Sequence, residues 1–110
     1  MGQDLGKTST GIQANVAALL SYFLGFISGV IFLVIEKDNK FVRFHAMQSI
    51  ITFGAIFVLQ MFLIYVPVFI MLLPLLGLAS LVLWVILMMK AYQGETFKLP
   101  VIGDMAEKKI

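Results

Sequence analysis

The sequence predicts an all-α membrane protein, a three-helix transmembrane bundle with a short cytoplasmic C-terminal tail. Three observations predict it. Hydrophobic residues make up 61% of the 110 residues and charged residues only 13%, about half the ~25% of a soluble domain. Mean hydropathy is +1.02, and a chain this small cannot hide so much apolar surface from water. The 8 basic and 6 acidic residues are confined to three zones, 1–11, 36–43 and 90–110. The runs between them, 12–35 and 44–89, contain no Asp, Glu, Lys or Arg.

A helix over the first run would be about 36 Å long, enough to cross a ~30 Å hydrocarbon core. A helix over the second would be about 69 Å, so that run must fold back. Its prolines, Pro67 and Pro74, place the reversal within 66–74, because proline lacks an N–H and disfavours helix at the residue before it. The spans then fall near 13–35, 45–66 and 69–90. Residues 1–12 form an outer tail, 13–92 the bundle and 93–110 the cytoplasmic tail, all within one integral membrane domain. Either proline can start the third helix. The apolar connection Val66-Pro67-Val68-Phe69 sits at the membrane interface, or the pair is a re-entrant hairpin. The first span is too long for a signal-peptide core and no A-x-A site follows. Gly6 breaks the myristoylation pattern that Met1-Gly2 begins.

With three spans, the N-terminal tail and the reversal share one side and carry one basic residue, Lys7. The 36–44 loop and the C-terminal tail share the other and carry Lys37, Lys40, Arg43, Lys90, Lys98, Lys108 and Lys109. The positive-inside rule then places the N-terminus outside and the C-terminus in the cytoplasm, at the cell membrane.

In the first span Ala14, Ala18, Ser21, Gly25, Ser28 and Gly29 fall along one side. Ser21, Gly25 and Gly29, the last two forming a GxxxG, are the expected packing face, either against the protein's own helices or against another protomer. Asn15 can cap or bond across helices. In the second span His45, Gln48, Ser49 and Thr52 form one polar stripe at i, i+3, i+4 and i+7, with Gln60 deeper on the same side. A polar stripe facing lipid is costly. It either bonds to the other helices and the loop, or forms the mouth of a polar path or a substrate contact. Arg43, His45, Gln48, Ser49 and Thr52 are therefore the candidate binding residues. In the third span Gly77, Ser80 and Trp84 share a side. Trp84, Met88, Tyr92, Tyr65 and, more weakly, Tyr22 look like interface anchors. Gly94 is the expected C-cap. Phe97, Leu99, Val101 and Ile102 are expected in an extended segment on the cytoplasmic face, and 106–110 as a fraying end.

Function classes narrow quickly. With Cys 0, disulfides and thiolate metal sites are excluded, and a net charge of +2 is too small to suggest nucleic acid. No charged residue lies deep in a span, which argues against an ion-coupled carrier. No phosphate loop, carboxylate pair, nucleophile–base pair or zinc spacing is present. One imidazole without a carboxylate partner is poor equipment for metal binding or acid–base work. No enzyme activity, cofactor or metal is therefore expected. A lipid-headgroup enzyme using His45 and Arg43 is a remote third reading. The expected partners are the lipid bilayer and either a second copy or another membrane protein.

Several strings carry a resemblance: Asn15-Val-Ala-Ala-Leu-Leu-Ser-Tyr, Glu36-Lys, Lys40-Phe-Val-Arg-Phe-His-Ala-Met-Gln-Ser, Lys90-Ala-Tyr-Gln-Gly-Glu and Phe97-Lys-Leu-Pro-Val-Ile-Gly-Asp. Over roughly 13–107 the chain resembles an uncharacterised family of small prokaryotic membrane proteins. That family is similar in turn to the Tic-twenty component of the chloroplast inner-envelope protein-import machinery. The resemblance implies a transport or translocation-type component acting as an oligomer or with partners. The alternative is a non-catalytic scaffold or assembly subunit that recruits partner proteins or anionic lipid.

Overall fold

The first apolar run does not form one helix. In the computed structural model, which describes residues 5–109, it divides into α1 (Ala14–Phe23) and α2 (Phe26–Ile35). Met1–Asp4 and Ile110, the far ends of the two expected tails, lie outside the described residues. The break falls at Leu24-Gly25. Gly25 has φ +65° and ψ −137°, a conformation that a Cβ disfavours strongly. Each helix is about 15 Å long, half the depth of a hydrocarbon core.

The two halves fold back on one another. Ser28 Oγ accepts from the Leu24 N–H (3.0 Å) and donates to the Ser21 carbonyl (2.9 Å). Gly29 lets α2 approach the next helix closely. A Cβ there would lie 2.8 Å from the Ala46 carbonyl oxygen. Ser21, Gly25 and Gly29 thus meet the chain's own helices.

The second run forms the long helices. α3 (Lys40–Tyr65) starts earlier than the expected 45, because Asn39 caps it by accepting from the Val42 N–H at 3.0 Å. The chain reverses at Val66 into a 3₁₀ turn, Pro67–Leu72, and continues as α4 (Leu73–Tyr92). Both prolines sit in first turns, where a missing N–H breaks no bond. Pro67 starts the 3₁₀ turn and Pro74 sits in the first turn of α4, and neither kinks a helix interior. Lys40–Tyr65 and Pro67–Tyr92 are each 26 residues, about 39 Å, long and apolar enough to cross a membrane.

The N-terminal segment does not share a side with the reversal. The Ser9 N–H donates to both Glu36 carboxylate oxygens (3.0 and 2.8 Å), and the Asn39 amide donates to the Leu5 and Lys7 carbonyls (2.9 and 3.1 Å). The tail thus lies beside the 36–39 loop. An even number of short helices brings the chain back to the face it left. The expected single helix over 13–35 is overturned by the turn at Gly25, and with it the expectation that the N-terminal tail shares a side with the reversal.

The C-terminal residues return to the same face. α4 ends in a Schellman motif, with Gly94 N–H on the Ala91 carbonyl and Glu95 N–H on the Lys90 carbonyl. Residues 95–99 have no regular secondary structure, and the extended segment expected through Val101 and Ile102 is cut short, because Val101 turns the chain at φ +66° and Ile102 opens a helix. The end is a helix rather than a fraying tail. α5 (Ile102–Lys109) packs on α3 with Ala106 fully buried. Lys98 and Glu107 pair at 2.8 Å on its exposed side.

Alanines let α1 sit between its neighbours. Ala14 and Ala17 pack with Phe32, Val42 and Ala46, while Ala18 and Tyr22 pack with Leu87 and Ala91. Small side chains at such contacts allow close backbone approach where lipid supplies little hydrophobic drive.

Two substitutions test this arrangement. Gly25→Ala should destabilise the fold by about 1–2 kcal/mol through left-handed backbone strain. Gly29→Leu should cost about 1–3 kcal/mol by forcing α2 off α3. Thermal unfolding in detergent reads both, and neither should change the oligomer size if these glycines pack only within the chain.

Candidate functional site

The polar stripe of α3 is closed by the chain's own residues. His45 is fully buried. Its Nε2 lies 2.9 Å from the Glu95 carbonyl, which can only accept, so Nε2 carries the proton. Nδ1 is then an acceptor, and the Tyr22 hydroxyl donates to it at 2.6 Å. The Gln48 amide donates to the Tyr22 oxygen (3.0 Å) and to the Phe97 carbonyl (2.8 Å). Its carbonyl accepts from the Leu99 N–H at 3.0 Å. Every polar atom of the three side chains has a partner. Phe41, Phe44 and Tyr22 set their ring edges against the imidazole at 4.7–5.4 Å between centroids.

This network joins three parts of the sequence. Tyr22 comes from the end of α1, His45 and Gln48 from α3, and the backbone of 95–99 from the C-terminal segment. The Gln48 amide spans Phe97 and Leu99 like a strand edge. That segment has no sheet of its own, so its backbone groups need such partners once covered.

The lower part of the stripe holds the α1–α2 turn. Ser49 Oγ donates to the Gly25 carbonyl at 2.8 Å, and the Trp84 indole N–H donates to the Tyr22 carbonyl at 2.7 Å. Thr52 is buried, and its hydroxyl has no partner among the described residues. Arg43 is not aimed at a cavity. Its guanidinium donates to the Leu33 and Glu36 carbonyls (2.9 and 2.7 Å) and caps the end of α2, where a cation suits the open carbonyls.

Four residues matter that the sequence reading did not assign. Tyr22 and Trp84, read as interface anchors, are instead hydrogen-bonded inside the bundle. A tyrosine in the middle of an apolar run was the available signal, since a buried hydroxyl needs a partner. Asn39 could have been read as an N-cap. Glu36 carried no distinguishing signal among the loop charges, yet it is fully buried. Its carboxylate accepts from the Ser9, Asp38 and Asn39 N–H groups. Burial alone would raise its pKa, but these hydrogen bonds outweigh that and hold it below the ordinary carboxylate value. Asn15 does bond across helices, to the Tyr92 carbonyl at 3.1 Å.

On the charged face a cavity of about 460 Å³ opens between the start of α3 and the tail, lined by Lys40, Phe41, Phe44, Thr96 and Glu107. Among the described residues no three His, Cys, Asp or Glu side chains gather into a group that could hold a metal ion.

The architecture defines a small helical protein with two membrane-length helices and an internal, saturated polar network. Residues 7–106 match the magnetosome magnetite crystal formation protein family, MamF/MmsF, and the chain belongs to that family. It is 51% identical over 104 residues to a UPF0132 membrane protein of Methanocaldococcus jannaschii, covering 94% of each chain. A UPF0132 membrane protein of Archaeoglobus fulgidus is 48% identical over 100 residues, covering 90% of this chain and 97% of the relative. A second M. jannaschii member is 41% identical over 99 residues, covering 89% and 71%. These relatives are named as membrane proteins, which agrees with the two long apolar helices. No solved structure matches the chain.

Removing one hydroxyl tests the network. Tyr22→Phe strips the donor from His45 Nδ1 and the acceptor from Gln48, and should destabilise by about 1–3 kcal/mol. Combined with Gln48→Leu, the two losses should be clearly non-additive in a double-mutant cycle.

Glu36 gives a pH prediction. A carboxylate with a lowered folded pKa contributes stability above its ordinary pKa and loses it as pH falls through the folded value. Acidification from the ordinary 4.5 down through the lowered folded value should therefore release the N-terminal segment, read as a loss of amide protection at Ser9 relative to the intrinsic exchange rate at the same pH. Glu36→Gln should show that reduced protection already at neutral pH, with little further loss of protection on acidification.

Proposed function

We propose that this protein is a non-catalytic membrane scaffold subunit. In this reading α3 and the Pro67–Tyr92 segment cross the bilayer as a hairpin. The α1–α2 pair enters and leaves by the same face. All the described charged residues then lie on that face, eight basic against five acidic, and the reversal carries none. The positive-inside rule makes it the cytoplasmic face.

One observation carries the choice of scaffold over path. The stripe that would line a polar passage is occupied by the protein's own Tyr22 and 95–99 backbone. Opening it would strand several buried polar groups at about 1–3 kcal/mol each. A translocation role, which the Tic-twenty likeness suggests, would need the C-terminal segment to leave. The exposed groups suited to contact lie elsewhere. They are the lysines of the charged face and the cavity beside Lys40, where partner proteins or anionic lipid headgroups would bind. The family's description, magnetite crystal formation, fits a subunit that organises a membrane surface around an assembly.

Single cysteines test this in a chain that has none of its own. With a membrane-impermeant maleimide, cysteines at Lys7, Lys37 and Lys108 should label from one side, and a cysteine at Val68 from the other. Ser49→Cys and Thr52→Cys should stay unlabelled from both. Labelling of positions 49 and 52 as fast as position 37 would reinstate an aqueous path and sink the scaffold reading.

A further inference from the structure

The packing is lopsided along the long axis. Towards the charged end α1, α2, α3, α4 and the C-terminal segment all contribute buried side chains. Towards the reversal only α3 and α4 with its 3₁₀ turn remain. Between Phe53 and Trp84 the one buried residue is Leu63. Beside Gly54 and Gly77 there is open space, with nothing within 4 Å of where a Cβ would sit. On the outside of the short hairpin Leu24, Ile27, Ile31 and Val34 are exposed, an apolar face that lipid would cover in the proposed topology.

We infer that the protein is a wedge that recognises membrane curvature, favouring bilayers that are convex on its charged face. The inference rests on the re-entrant topology proposed above. A helix with side chains is about 10 Å across, so two extra half-length helices add roughly 150 Å² of cross-section to one leaflet and nothing to the other. Each ends about 15 Å deep, near the bilayer midplane. A convex leaflet offers more area per lipid than its concave partner, so the wide half fits there with less strain. Reversing the orientation puts the wide half in the compressed leaflet. The same shape should therefore be attracted to small vesicles when its charged face points out, and excluded when it points in.

The test uses full-length protein with a Lys108→Cys substitution carrying a nitrobenzoxadiazole dye. It is reconstituted in phosphatidylcholine vesicles of mixed size and imaged one vesicle at a time. Dithionite bleaches only outward dyes and so separates the two orientations. As vesicle diameter falls, outward protein per unit lipid area should rise and inward protein per unit lipid area should fall. A parallel sample with the dye at Lys7→Cys must bleach to the same fraction. Complementary fractions would place the two tails on opposite faces, overturning the topology and the wedge together. Equal fractions with no dependence on diameter, or the same trend for both orientations, would overturn the wedge alone. Gly54→Phe combined with Gly77→Phe adds bulk to the narrow half in open space and should weaken the size dependence. An undiminished trend in that variant would put the preference outside the helix cross-section and overturn the wedge as well.

Discussion

A backbone reversal in apolar surroundings has to supply its own hydrogen-bond partners, because no water will. The turn at Leu24-Gly25 meets this demand with side chains from three helices. Ser28 of α2 serves the Leu24 N–H and the Ser21 carbonyl, Ser49 of α3 serves the Gly25 carbonyl, and Trp84 of α4 serves the Tyr22 carbonyl. Each partner must sit within about 3 Å of its target, so the turn fixes where α3 and α4 stand relative to α1. The close Gly29–Ala46 approach follows from the same placement, since α2 can leave the turn only along α3.

The Tyr22–His45–Gln48 network works on the same principle one turn of helix nearer the charged face. A buried polar cluster is worth having only if it is complete, since the low dielectric that strengthens each bond also penalises each vacancy. Here the missing partners come from backbone at 95–99, fifty residues along the chain from His45. The imidazole needs a carbonyl, the amide needs a carbonyl and an N–H, and the backbone at 95, 97 and 99 presents these at alternating positions. The tail is thus ordered by the helix side chains, and those side chains are closed off by the tail. Arg43 and Glu36 repeat the pattern at the loop, where charged groups are spent on backbone partners rather than held out for a ligand.

Much of this was legible in the sequence. Charge segregation marks both apolar runs, the length of the second forces its reversal at the prolines, and the spacing of His45, Gln48, Ser49 and Thr52 marks an inward-facing stripe. The halving of the first run was not legible, for a physical reason. Twenty-four uncharged residues fit one full crossing or two half-crossings equally well, and hydrophobic periodicity says little where most positions are apolar. Gly25 and Gly29 at i and i+4 read as a packing motif on one helix. In the fold Gly25 is used for its backbone freedom and Gly29 for its missing side chain. The side of the N-terminal tail depends wholly on the parity of that first run, and two half-length helices bring Lys7 beside the 36–39 loop. What the tail residues do was out of reach, because a carbonyl looks the same at every residue.

The parity of the first run also decides what a bilayer would have to accept. With one full crossing at 13–35, either the N-terminal zone with its Asp and Lys or the next loop would have to pass through the hydrocarbon, where a charge at the centre costs about 2.5–3.5 kcal/mol on insertion scales. In the re-entrant arrangement only the 66–72 reversal has to cross, and it contains no charged residue. In that proposed arrangement the α1–α2 pair would enter from the face where its ends already lie and go only as deep as its turn. On the proposed topology, the short hairpin that makes one half wide is the same feature that keeps every described charge on one side. Shape asymmetry and charge asymmetry then have a single cause, and lengthening α1 and α2 into full crossings would remove the first by filling the narrow half.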